Sequence, residues 1–158
     1  MTRCVTCTDR FPPLSISPRH RHPVPSCVAA ERDDAICVRQ WDWSETSQTV
    51  SLFAREHGIV RCVAKGSKRD KSNYSGGLEV MSLGEMTASL KRSDQLSVLT
   101  AWDLRELVPA ARRSLSAFHH GLAMLDLTHH ALEPLDPHPA LYDALLAGLR
   151  RLGDPRAD

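Results

Sequence analysis

The sequence predicts a β-then-α chain: a small, closed or nearly closed barrel of five strands, followed by a short helical region. Three observations carry this. Between Ala35 and Leu107 apolar residues recur with period two in short runs separated by turn residues. No long helical pattern interrupts those runs, and after Pro109 the apolar period lengthens to three and four. A flat sheet of this size would leave exposed edges and one wet face, so closure is the expected solution.

The elements follow in order. Residues 1–34 read as a disordered tail, because Pro12, Pro13, Pro18, Pro23 and Pro25 interrupt every helix and no apolar period survives between them. The first strand falls at Ala35 to Trp43, with Ile36 and Val38 on one face and Cys37, Arg39, Trp41 and Trp43 on the other. A turn-like stretch to Ser47 leads into Thr49 to Arg55, where Val50, Leu52 and Ala54 oppose Thr49, Ser51 and Phe53. His57-Gly58 supplies a tight turn, since glycine tolerates positive φ, and Ile59 to Lys65 completes the hairpin. Residues 66–77 form a polar, Gly/Ser-rich loop, Leu78 to Leu90 a long strand bent near Gly84, and Gln95 to Trp102 a fifth run. Pro109 suits the first turn of a helix. Leu115, Phe118, Leu122, Leu125 and His129 place that helix at 110–132, and Leu141, Leu145, Leu146 and Leu149 mark a second at 139–152. The expected division is therefore a tail (1–34), a barrel (35–108) and a partial helical domain (109–158).

Composition excludes several function classes. The 158 residues are 42% hydrophobic and 25% charged, as in an ordinary globular chain. No window approaches the ~20 apolar residues of a membrane span, so no membrane role is expected. Residues 1–20 are too polar for the apolar core of a signal peptide. The five cysteines, Cys4, Cys7, Cys27, Cys37 and Cys62, are odd in number and scattered. Together with the polar start they point to a reducing cytoplasm, not a disulfide scaffold.

The net charge of +1 conceals a local imbalance. Residues 61–72 hold Arg61, Lys65, Lys68, Arg69 and Lys71 against one acid, Asp70, whereas residues 109–158 are slightly acidic. The cluster Lys65 to Lys71 lies in a loop between strands, with Gly66 and Ser67 letting backbone N–H groups approach a phosphate and with Tyr74 close behind. Arg61 and Lys65 share one face of the preceding strand. Nucleic-acid binding is the functional reading; a loop kept polar for solubility is the alternative. Lys91 and Arg92 sit at the turn before the last strand, a connection that borders the groove in oligonucleotide-binding barrels. Trp41 and Trp102 are expected to seal the barrel against the helices, while Trp43 and Tyr74 are open to either burial or base stacking.

Other candidates carry less. Cys4-Val5-Thr6-Cys7, with Cys27, His20 and His22, has loose spacing for zinc and no knuckle around it, so no metal is expected. His119-His120 and His129-His130 lack the i, i+4 spacing of a metal pair and read as surface or interface residues. No Walker loop, nucleophile elbow or framed carboxylate pair is present, and neither catalysis nor a cofactor is expected.

Longer strings carry a family resemblance. Ala35-Ile36-Cys37-Val38-Arg39-Gln40-Trp41-Asp42-Trp43-Ser44-Glu45-Thr46-Ser47, then Arg55-Glu56-His57-Gly58, then Val63-Ala64-Lys65-Gly66-Ser67-Lys68-Arg69, resemble the amino-terminal half of the DNA repair protein RecO family. So do Leu99 to Leu104 and Pro109 to Leu115, and the resemblance covers about 34–152. It implies an oligonucleotide-binding (OB-fold) barrel with a helical domain behind it. It further implies binding of single- and double-stranded DNA without sequence preference, and strand annealing. The implied partners are a RecR-type mediator and the single-strand-binding protein, with which such proteins load the RecA recombinase at gaps; the implied location is the nucleoid. On this reading Arg39, Arg61, Lys65, Lys68, Arg69, Lys71, Tyr74, Lys91 and Arg92 form the DNA surface. The family's helical domain is longer than two helices and in many members holds a four-cysteine zinc site. This sequence has no cysteine after Cys62 and so no counterpart of that site.

Overall fold

The computed structural model describes residues 30–69, 73–91, 95–108 and 114–152. Along the chain these form β1 (Ala30–Asp42), β2 (Gln48–Ala54), β3 (Gly58–Ala64), β4 (Tyr74–Ser75), β5 (Ser82–Ser89) and β6 (Ser97–Leu107), then α1 (Leu115–Ala131) and α2 (Pro139–Arg151). β1 pairs antiparallel with β2 from Ala35↔Ala54 to Asp42↔Gln48, and with β5 from Ala30↔Ser89 to Ile36↔Leu83. The β2–β3 and β5–β6 pairs are also antiparallel. A short parallel pairing, Cys62↔Ser97 to Ala64↔Leu99, joins β3 to β6 and closes the ring. The result is the expected five-stranded OB barrel, with the two-residue β4 added beside Trp102 on β6.

Several boundaries differ from the sequence expectation. β1 reaches back to Ala30, into residues assigned above to the tail. Those residues gain a partner in β5, and Asp33 anchors them by accepting from the Glu56 backbone N–H at 2.8 Å and lying 2.8 Å from His57 Nδ1. The rest of the tail, with its cysteine and histidine candidates, lies outside the described residues. β6 continues to Leu107 because β5 pairs with it that far. Helix α1 starts at Leu115, where the Ser114 hydroxyl accepts from the Ala117 N–H, and α2 starts on Pro139.

One further difference reorients side chains. The β1–β2 register shifts between Cys37 and Arg39, leaving Val38 as an extra residue in a β-bulge. A one-residue insertion moves every later side chain to the other face. Cys37 therefore faces the barrel interior, while Arg39 turns outward with Ile36 and Val38, opposite Ser51.

Two cores result. Inside the barrel, Ala35, Cys37, Val50, Leu52, Val60, Cys62, Met86, Leu99 and Trp102 are buried together. Trp102 thus fills the interior instead of sealing the barrel against the helices. The second core lies between the outer wall and the helices, where Ile36, Val38, Phe53 and Ile59 meet Leu125, Tyr142, Leu145 and Leu149. Phe53 and Tyr142 are in edge contact, with ring centroids 5.6 Å apart. Ion pairs rim this contact: Arg55 binds both oxygens of Asp143 at 3.1 and 2.8 Å, and Arg150 binds Glu106.

The α1–α2 linker docks on the β2–β3 turn. The Leu135 N–H donates to the Ile59 carbonyl at 3.0 Å, and the linker passes so close to Gly58 that a Cβ there would lie 2.1 Å from the Asp136 carbonyl oxygen. Gly58 also has φ +69°, so glycine is required twice over. Replacing Gly58 by Ala is expected to cost about 2–4 kcal/mol through left-handed strain and overpacking, read as a lower thermal midpoint by circular dichroism.

Candidate nucleic-acid interface

The β1–β2 connection and the turn after β3 are braced against each other. The turn closes on itself through the Arg69 N–H to the Gly66 carbonyl at 3.1 Å, with Gly66 at φ +72°. The Gly66 N–H donates to Ser47 Oγ at 3.3 Å, the Lys68 N–H donates to the Thr46 carbonyl at 3.3 Å, and Ser67 Oγ donates to Gln48 Oε1 at 3.0 Å. A segment expected from its composition to be a free polar loop is therefore held over residues 66–69 as a ridge. Folding its backbone into fixed bonds means that cations on it are presented in place.

The ridge carries Lys65 and Arg69, both exposed, and neither forms an ion pair with another described residue. A shallow groove flanks each side. One is lined by Asn73, Tyr74, Leu99 and Thr100, the other by Trp43, Ser44, Thr46, Ser47 and Val63, and both include Lys65, Gly66 and Arg69. Lys68 differs, since its Nζ lies 2.6 Å from Asp42 Oδ1 in an exposed pair. Such a pair opens at little cost when a phosphate competes.

The other sequence candidates are dispersed. Arg61 lies on the outer face of β3, four residues from Lys65 and so about 13 Å along the strand. There it shares a narrow cleft with Lys91, Gln95 and Leu135, which places Lys91 beside Arg61 and away from the ridge. Arg39 is drawn to the helices by the bulge and forms a salt bridge with Asp126, whose carboxyl is held below its usual range chiefly by that hydrogen bond. Tyr74 is buried, its hydroxyl donating to the Leu99 carbonyl at 2.6 Å, and so is a strut of the barrel wall and no exposed stacking surface. Lys71 and Arg92 lie outside the described residues. Trp43, left open by the sequence and absent from the expected DNA surface, stands exposed beside Lys65 and Arg69. Its position in the turn after β1 was the available signal. Trp41, expected to seal the barrel, is also exposed and borders an open groove between β1 and α1 with Leu122 and Asp126.

Among the described residues no group of three or more His, Cys, Asp or Glu side chains is arranged to hold a metal, and no helix is long and apolar enough to cross a membrane. Cys37 and Cys62 are buried thiols whose pKa values burial pushes up to about 12, so they are packing groups.

A closed five-stranded barrel that presents cations and an indole from its first hairpin and its β3–β4 turn is an oligonucleotide-binding barrel, whose strand 2–3 face and β1–β2 loop commonly form the ligand surface. Comparison with known proteins narrows the class: the profile described as "Recombination protein O N terminal" matches residues 29–108, and the chain belongs to the RecO family. It is 34% identical over 115 residues to the "DNA repair protein RecO" of Rhodopirellula baltica, covering 73% of this chain and 43% of that relative. The proteins of the same name from Salinibacter ruber and Cutibacterium acnes are 31% and 32% identical, over 77% and 80% of this chain and 46% and 52% of their own lengths. The chain thus spans about half the length of these relatives.

The contact between α1 and β2 contains a titratable group. His129 of α1 has its Nδ1 3.3 Å from Ser51 Oγ, and its pKa is lowered by burial first, then by Arg39, His130 and Arg61. The unfolded chain therefore takes up this proton before the folded one does. The contribution is fully present above the ordinary histidine value of about 6.5 and is lost as pH falls through the folded value. Thermal midpoints measured from pH 8 to pH 5 are expected to fall less steeply for His129→Gln than for the unaltered protein.

Proposed function

We propose that this chain binds DNA backbones without regard to base sequence and brings complementary strands together, in the repair and recombination role for which its relatives are named. The observation that carries the reading is the braced Lys65–Arg69 ridge with a groove on either side. Two phosphate backbones repel each other, and fixed cations shared by adjacent grooves reduce that repulsion where the strands must meet. Arg61 and Lys91 extend the positive potential along β3. Among the described residues no helix lines either groove, so affinity comes from phosphate contacts and the counterions they release. No catalytic step is part of this reading. A RecR-type mediator, the single-strand-binding protein and a RecA-type recombinase are the partners it implies.

Two measurements test it. Log affinity for DNA should fall steeply with log salt, and the combined Lys65→Ala, Lys68→Ala and Arg69→Ala variant should reduce that slope by about 1 per lost phosphate contact. These sites are exposed, so each change should cost no more than about 0.5 kcal/mol of stability. The variant should also anneal complementary strands more slowly at equal protein concentration. Binding unaccompanied by annealing in the unaltered protein would reduce the reading to a simple binding module, and binding insensitive to salt would end it.

A further inference from the structure

Trp41 and Trp43 are the exposed members of the described Phe, Tyr and Trp side chains. Phe53, Tyr74, Trp102 and Tyr142 are buried and Phe118 is half-buried, whereas Trp41 and Trp43 are 43% and 65% exposed. Neither belongs to either core. A folded chain gains nothing from leaving two indoles in water side by side, since each forfeits a large burial energy.

Their placement is specific. Trp41 sits opposite Thr49, and Thr49 opposite Val63, so the row Trp41–Thr49–Val63 crosses the outer face of β1, β2 and β3. Trp43 lines the ridge groove together with Val63, Lys65 and Arg69. Trp43 thus borders the ridge cations, and Trp41 lies two residues earlier on the same outer face, at the edge of the groove between β1 and α1. Asp42, the acid between them, is taken up by Lys68. Two residues of extended chain span at most about 7 Å. Duplex bases stack about 3.4 Å apart and turn their faces to one another. An extended, unpaired strand offers open faces at wider spacing.

We infer that Trp41 and Trp43 are stacking platforms for two unpaired bases of a single strand whose phosphates lie along Lys65 and Arg69. The inference rests on the nucleic-acid reading above and adds which form of nucleic acid this surface selects. The cations serve single strand and duplex alike. The indoles serve the unpaired strand alone, because every unpaired base has a free π-face whatever its identity. Preference for single strands then comes from stacking, without base reading.

The test compares the intact protein with its Trp41→Ala/Trp43→Ala variant on oligothymidylate, on a duplex of equal length and on a strand of equal length made of abasic sites. Affinity for oligothymidylate should fall by about tenfold per indole removed, with duplex and abasic affinities unchanged. Trp43→Phe, which keeps a ring, should retain most of the single-strand affinity. Oligothymidylate should quench the tryptophan emission of the intact protein and the abasic strand should not. Emission from buried Trp102 follows folding in the variant, and if the double variant is unfolded the single Trp43→Ala carries the same comparison. Unchanged affinity for oligothymidylate, or an equal loss on single strand and duplex, overturns the stacking inference and leaves the phosphate reading standing. An intact protein that binds none of the three ligands overturns both.

Discussion

β1 belongs to both halves of the barrel at once, and the rest of the structure depends on how it manages this. Its first half pairs with β5 and its second with β2, with Ala35 and Ile36 in both ladders. At this crossover Ala35, Ile36, Cys37 and Val38 are all buried, an unbroken apolar run in a strand whose two ends are exposed. The run faces the barrel interior on one side and the helices on the other. The Val38 bulge lets the strand bend where it changes partner. It also decides that Arg39 meets Asp126 on α1 and that Trp41 lies on the outer face, opposite Thr49.

The cations divide by what holds them. Arg39, Arg55, Arg105 and Arg150 each bind a carboxylate from another element and fix how those elements sit. Exposed pairs of this kind add little stability, and their value here is orientation. Lys65 and Arg69 form no ion pair with another described residue, and the Arg69 backbone is fixed by its bond to the Gly66 carbonyl. In a chain of net charge +1, these two described cations stand together on one ridge.

Much of the fold is legible in the sequence because burial imposes period. The alternation in Thr49 to Arg55 and the leucine spacing in both helices follow from single faces packed on one core. What escapes is whatever breaks period by one residue or depends on distant partners. The Val38 bulge inverts the faces of Arg39 and Trp41, and nothing in the residues beside it announces the insertion. The ridge looks like free loop because the bonds that brace it come from Thr46, Ser47 and Gln48, about twenty residues earlier. Tyr74 reads as an aromatic near cations, but its pairing beside Trp102, its packing in the barrel core and its bond to the Leu99 carbonyl remove it from the surface. Residue type alone does not separate Lys65 and Arg69, which stand exposed on the ridge, from Tyr74, which is buried.

The outer wall of the barrel has a consequence for how the chain unfolds. Ile36, Val38, Phe53 and Ile59 lie on strands whose opposite faces line the interior, yet they are dry because α1 and α2 cover them. Barrel and helices thus share strands as well as a boundary, and opening one core weakens the other. Two regions that differ in period, composition and charge are therefore expected to unfold together. A barrel cut away from its helices would present these four side chains as a contiguous apolar patch, a surface prone to self-association.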